Sequence, residues 1–272
     1  MKPRAPCRIA AVLLALASVA RAQDFGSAAP PGPADAPCAF IESGLPPSSI
    51  AGAEAAFTRW FALPDLETRA IAAAAGIGAL RVAAGVSQTG EAGIGWNAAG
   101  AALGVVRERA GVALRAVARR DRTIAPGSEA ALHLEDRAGL EAGGGAWLAP
   151  AENLIVWASV PQAWAGGTAP PLDRPMELGA RYAIGDSTGR GGLAFWVARG
   201  APSGDAPADH AAGAMLRSGP LAAWATVRDR PLRGGFGLSA RARWLVVSGE
   251  VESHPDLGET VRVGIALLGS PP

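Results

Sequence analysis

The sequence predicts an all-β fold: a single antiparallel up-and-down transmembrane β-barrel of about fourteen strands, with twelve as the alternative count. Three observations point there. Segment after segment alternates bulky residues with small or charged ones at period two, the spacing at which strand side chains change face. The connections between these segments alternate between long and short, and the chain opens with an export signal.

Lys2, Arg4 and Arg8 lead into the apolar run Ile9 to Val19, which reaches Ala20-Arg21-Ala22 before Gln23. A charged start, an apolar middle and a small-residue end read as a secretory signal peptide over residues 1–22. A membrane anchor would need ~20 apolar residues, more than this run supplies. Removing the peptide takes four bases and no acid, so the formal charge of +1 becomes −3 in the exported chain. That balance argues against nucleic acid as a partner. Cys7 leaves with the peptide, and Cys38 stays with no intrachain disulfide partner. It reads as a half-exposed residue, its thiol free or paired between chains.

Residues 23–51 are rich in Pro, Ala and Gly with almost no periodicity, and read as a flexible lead-in. The barrel is expected over 52–268, followed by a short tail, 269–272. Its strands are expected at 54–62, 67–76, 79–88, 91–104, 108–119, 136–148, 152–162, 175–184, 190–199, 209–217, 220–228, 234–242, 244–252 and 259–268. In the third, Leu80, Val82, Ala84 and Val86 alternate with Arg81, Ala83, Gly85 and Ser87. In the fourth, Trp96 and Ala98 oppose Asn97 and Ala99; in the fifth, Val112 and Leu114 oppose Ala113 and Arg115. The eighth and twelfth repeat the division, and in the last Val261, Val263, Ile265 and Leu267 oppose Arg262, Gly264 and Ala266. A helical period would scatter the charges differently.

Tight connections fall at Gly78, 149–151, Ser218-Gly219 and Arg243, and long ones at 120–135, 163–174, 200–208 and 253–258. Short periplasmic turns and longer outer loops are the habit of outer-membrane barrels. Thr89-Gly90 is the exception, short on the long side. Beyond the signal peptide no window is long and apolar enough for a transmembrane helix, so membrane residence would be by barrel. Trp60, Trp147 and Trp244 fall near strand ends, as an interfacial girdle requires, whereas Trp96, Trp157, Trp196 and Trp224 fall mid-strand.

If the bulky face meets lipid, the other face lines the lumen. The candidates there are Arg81, Asn97, Arg115, Arg119, Glu177, Arg181, Arg241, Glu250, Glu252 and Arg262. They suit either an ionic lattice that props the interior or a path for solute. Small residues among them, such as Gly179, Gly237 and Gly264, would leave room for the long side chains. His133, His210 and His254 stand apart, no metal-ligand spacing occurs, and the glycine clusters precede no Gly-Lys-Ser/Thr. The chain therefore reads as a non-enzyme without metal or cofactor.

The closing segment Ser253-His254-Pro255-Asp256-Leu257-Gly258-Glu259-Thr260, running into Val261-Arg262-Val263-Gly264-Ile265, resembles the terminal hairpin of PorV/PorQ-type barrel proteins. These are relatives of the FadL-like outer-membrane transporters. Trp60-Phe61-Ala62-Leu63-Pro64-Asp65-Leu66-Glu67 is similar to the Phe-Gly-Leu-Pro-Glu-Leu segment before an early strand in such proteins. The resemblance implies an outer-membrane barrel of hydrophobic-solute transport or secretion-accessory type. The family's N-terminal Asn-Pro-Ala segment and a terminal aromatic residue are absent here. The expected partners are outer-membrane lipid, a small solute, and an envelope protein docked on loops 120–135 and 163–174. A soluble periplasmic β-sandwich or barrel is the competing reading, and the outward face of Leu80 to Ser87 discriminates between them.

Overall fold

The structure, a computed structural model, describes residues 25, 28–29, 32–48, 51–63, 66–91, 94–124, 134–169, 176–185, 191–200 and 208–268. The predicted signal peptide and the tail 269–272 lie outside these residues. Among the described residues, one short helix, α1 (Pro37–Ser43), precedes fourteen strands. They are β1 (Ala51–Arg59), β2 (Glu67–Ile77), β3 (Leu80–Glu91), β4 (Ile94–Arg107), β5 (Ala110–Ile124), β6 (Leu134–Ala151), β7 (Leu154–Gly167), β8 (Glu177–Gly185), β9 (Gly191–Gly200), β10 (Asp209–Ser218), β11 (Leu221–Asp229), β12 (Leu232–Ala242), β13 (Leu245–His254) and β14 (Gly258–Leu268).

Each strand pairs antiparallel with its chain neighbours, and β1 pairs with β14, so the sheet closes into a barrel. At that seam Ala55 stands opposite Ile265 and Thr58 opposite Arg262. Closure removes the unpaired edge that an open sheet would expose. The connections at 78–79, 108–109, 152–153, 219–220 and 243–244 gather at one end, where β1 also begins. Gly78, Gly219 and Arg243 take positive φ in these tight turns. The longer connections 60–66, 125–133, 168–176 and 201–208 lie at the other end, but so do tight ones at 92–93, 230–231 and 255–257, the last in place of the long connection expected at 253–258.

Register settles which face is which. On β3, Val82 and Val86 are exposed while Ala83 and Ser87 are buried. On β5, Leu114 is 71% exposed beside Arg115 at 2%. Val197, Leu216, Phe236, Leu238 and Ile265 continue the outward apolar belt around the barrel. The bulky side of Leu80 to Ser87 thus faces out, and the polar and small side faces in.

Several expectations need correction. The first strand ends at Arg59 rather than 62, because Phe61 and Ala62 turn with positive φ. β5 and β6 run into the expected loop 120–135, and β7 extends to Gly167. Arg122 and Asp136 are register partners there, in a ladder that continues past the expected strand ends. Thr89 and Gly90 lie within β3 instead of forming a connection.

The lead-in differs most. Residues 32–48 do not behave as a flexible tether; α1 and its flanks lie inside the barrel, with Phe25, Cys38, Phe40, Ile41 and Leu45 at most 1% exposed. The segment is too short to fold alone, and the closed wall supplies the apolar burial that orders it. Cys38 is accordingly a buried free thiol, not a half-exposed one.

Candidate functional site

The lumen is the candidate site, and it has two differently filled halves. The first is the N-terminal plug. Pro37 suits the first turn of α1, where a missing N–H costs nothing, and Gly44 ends the helix in the left-handed region with its N–H on the Phe40 carbonyl at 2.9 Å. Seven residues bounded by Pro37 and Gly44 around Phe40-Ile41 is the sequence signal that would have revealed this helix. It packs against Ala56, Ala70, Ala72, Ala83, Ala98, Ala102 and Ala113, a wall of small residues on β1–β5. At Gly100 even a Cβ would come within 2.5 Å of Ile41 and 2.8 Å of Phe25.

Polar side chains of the wall satisfy the plug backbone. Arg115 donates through Nε to the Ile41 carbonyl at 2.6 Å, and through Nη1 to the Pro161 carbonyl of β7. Trp147 Nε1 donates to the Pro46 carbonyl at 2.7 Å, and Ser159 Oγ to that of Ser43. The Cys38 amide donates to Glu54 Oε2 at 2.8 Å, and Arg81 Nη2 to the Ser48 carbonyl at 3.1 Å. A buried backbone group without a partner would cost ~1–3 kcal/mol, so these contacts decide where the plug sits. Burial, reinforced by the neighbouring Glu54 and Glu42 carboxylates, pushes the Cys38 thiol well above its ordinary range.

Beside the plug, indole rings continue the filling of the lumen, with Leu45 of the plug in the same cluster. Trp147, Trp157, Trp196 and Trp224 are each at most 7% exposed and point inward. Each covers a glycine on the adjoining strand: a Cβ at Gly111, Gly179, Gly213 or Gly237 would come within 2.1–2.5 Å of the ring. These glycines make room for tryptophan, rather than for the arginines and carboxylates expected beside them. Trp60 is also buried, donating to Thr68 Oγ1 at 2.8 Å. The expected girdle therefore loses Trp60 and Trp147 to the interior, and Trp244 stays exposed at a turn.

Toward the long-loop end the interior becomes ionic. Arg262 Nη1 lies 3.1 Å from Glu252 and 3.5 Å from Glu250, and its guanidinium sits 5.6 Å from the Trp60 ring centroid. Arg233 bridges Glu252 at 2.8 Å to Asp209 at 3.9 Å, and Arg228 adds a contact to Asp209 at 3.5 Å. A second group joins Arg119 to Asp121 at 2.6 Å and to Glu141 at 3.4 Å.

Of the sequence candidates, Arg119, Glu250, Glu252 and Arg262 enter these ionic groups, and Arg115 and Arg81 hold the plug. Glu177 accepts from Trp157 Nε1 at 2.9 Å, Arg181 lies half-buried on the inner face opposite Trp196, and Arg241 bonds the Arg243 carbonyl at the short-turn end. Asn97 does not join them. It shares the outward face with Ala99 and Leu103, because the plug needs the small set Ala98, Gly100 and Ala102 to face inward. Sequence reasoning missed Glu54, Asp121, Glu141, Asp209, Arg228 and Arg233: Asp121 pairs with Arg119 two residues away on β5, Glu54 reaches the plug, and the other four find partners on other strands. His210 is on the outer rim with Nδ1 2.8 Å from Asp229, while His254 Nδ1 accepts from the Asp256 and Leu257 amides and caps the last hairpin. His133 lies outside the described residues.

These features define a plugged, closed fourteen-stranded barrel. No known protein family and no curated protein matches the chain. Among solved structures it is similar to the Acinetobacter baumannii outer membrane protein Omp33, at 10% identity and a TM-score of 0.48, over 80% of this chain and 96% of that one. It is also similar to engineered variants of Rhodopseudomonas blastica porin, at 13% identity and a TM-score of 0.40, over 80% of this chain and 98% of theirs.

Proposed function

We propose that this protein is an outer-membrane β-barrel of a Gram-negative-type envelope that passes or binds a small solute, with its N-terminal segment as the plug of that passage. The inverted burial pattern carries the reading. Leaving a large aliphatic side chain in water instead of burying it costs ~1.5–3 kcal/mol, and the outward belt holds many of them. Lipid removes that cost, and a closed sheet leaves no backbone edge for lipid to desolvate. The predicted signal peptide supplies the export route.

A solute arriving at the long-loop end meets the ionic groups around Arg262 and Arg119 before it reaches the plug. The resemblance to FadL-like and PorV/PorQ-type barrels supports transport or secretion-accessory work with gating at the N-terminus. The lumen location of residues 32–48 suits such a gate without the Asn-Pro-Ala motif. The non-transporting alternative, a barrel that anchors an envelope partner through its outer loops, is favoured by one observation: wall side chains satisfy the plug backbone as they would a permanent filler.

Planar-bilayer recording separates the two. The full exported chain is expected to conduct little, and a chain lacking residues 23–48 to conduct several times more. Silence from both, with heat-modifiable migration showing folded barrels, would overturn solute passage and leave the anchoring reading. Extraction from membranes without detergent would remove both readings.

A further inference from the structure

The outer wall carries a feature that neither plug nor lumen uses. Arg69, Gln88, Asn97 and Arg120 are successive register partners across β2, β3, β4 and β5, and all face outward. They form one polar row near the long-loop end. The next row toward the middle of the wall is Ile71, Val86, Ala99, Ala118 and Leu140. Ala99 and Ala118 therefore make a trough between Val86 and Leu140, two strands or about 10 Å wide. The row beyond keeps the trough open with Ala101 and Ala116, and Leu103 and Leu114 close it. A groove of about 660 Å³ lies here, lined by Arg69, Arg120, Val86 and Ala118 among others.

Among the described residues, the charge at its head is positive. Arg59, Arg69, Arg120 and Arg122 face out on this part of the rim against Glu67 and Asp136. Arg69 and Arg120 keep 74% and 69% of their side-chain surface exposed while touching those acids. A guanidinium has five donors, so an ion pair that uses one or two leaves others for an anion. Cations at the edge of an apolar belt, above a trough floored by alanines, match an acyl lipid that carries a phosphate.

We propose that this groove binds a phosphate-bearing membrane lipid, with its acyl chain along Ala99, Ala118, Ala101 and Ala116 and its phosphate on Arg69 and Arg120. Gln88 and Asn97 lie between the two arginines and supply neutral donors to the same head group. The inference rests on the membrane reading, but its test uses detergent-purified, folded barrel, so the two fail separately.

Native mass spectrometry of the full exported chain would be titrated with dioleoyl phosphatidic acid and with dioleoylglycerol, which differ only in the phosphate. Phosphatidic acid is expected to be retained about tenfold better, and the Arg69→Gln/Arg120→Gln double variant to lose that preference. Ala118→Phe, an outward change that leaves the lumen untouched, is expected to lower retention of both lipids. Heat-modifiable migration verifies folding of each variant. Equal retention of the two lipids, a preference that survives the double variant, or displacement of phosphatidic acid by equimolar inorganic phosphate would each overturn the proposal.

Discussion

Replacing Arg115 with methionine tests the plug directly. The side chain keeps an unbranched stem out to the Nε position but loses the Nε bond to the Ile41 carbonyl at 2.6 Å and the Nη1 bond to the Pro161 carbonyl. Hydrogen bonds to charged groups contribute ~1.5–3 kcal/mol, and only the first of these ties the plug to the wall. A loss of about 2 kcal/mol raises the population of undocked plug roughly thirtyfold. Cys38 stands three residues before Ile41 on the same helix with its thiol fully buried, so it reports that population. When closing outruns the chemistry, alkylation rate follows the open fraction. Maleimide labelling of Cys38 should therefore accelerate roughly thirtyfold in Arg115→Met, alongside greater single-barrel conductance. Labelling within about twofold of the parent, at equal urea stability of the barrel, would refute the claim that Arg115 holds the plug.

Three further outcomes follow from the same geometry. Gly100→Val places carbon where Ile41 and Phe25 now lie, at 2.5 and 2.8 Å, so the barrel should still close while Cys38 becomes reactive and conductance rises. Gly179→Ala meets the Trp157 ring at 2.1 Å and should lower urea stability by ~1–3 kcal/mol, with partial recovery when Trp157→Ala is added. The Cys38 thiol resists ionisation inside the plug site, whereas in an undocked segment it ionises near ~8.5. Its contribution to docking is therefore complete below that pH and shrinks above it. Conductance should rise between about pH 8 and 10 in the parent and stay flat in Cys38→Ala.

Legibility from sequence varied with how local the cause was. The alternation in Leu80–Ser87, Val112–Arg119 and Phe236–Ala242 correctly separates outward from inward residues, because period two is a property of a single strand. Asn97 shows the limit. Its strand carries Trp96 on one face and alanines on both, and the face that turns inward depends on Phe25 and Ile41 far back in the chain. The plug itself escaped notice because seven helical residues carry little periodicity and gain order only from the wall around them. The tryptophans misled for a related reason: nearness to a strand end gives height along the barrel but not the side of the wall.

The amino-acid order alone determined that this is a string of short antiparallel strands with one bulky and one small or charged face, and that loop lengths differ between the two ends. Those properties need only neighbours along the chain. Tertiary structure decided that the string closes β1 onto β14, that residues 32–48 occupy the lumen, and that glycines seat indoles. It also brought Asp209, Arg228, Arg233, Glu252 and Arg262 from five strands into one ionic group. These five strands are successive neighbours in the sheet, so it is their pairing and register, which no single strand's pattern fixes, that bring the partners together.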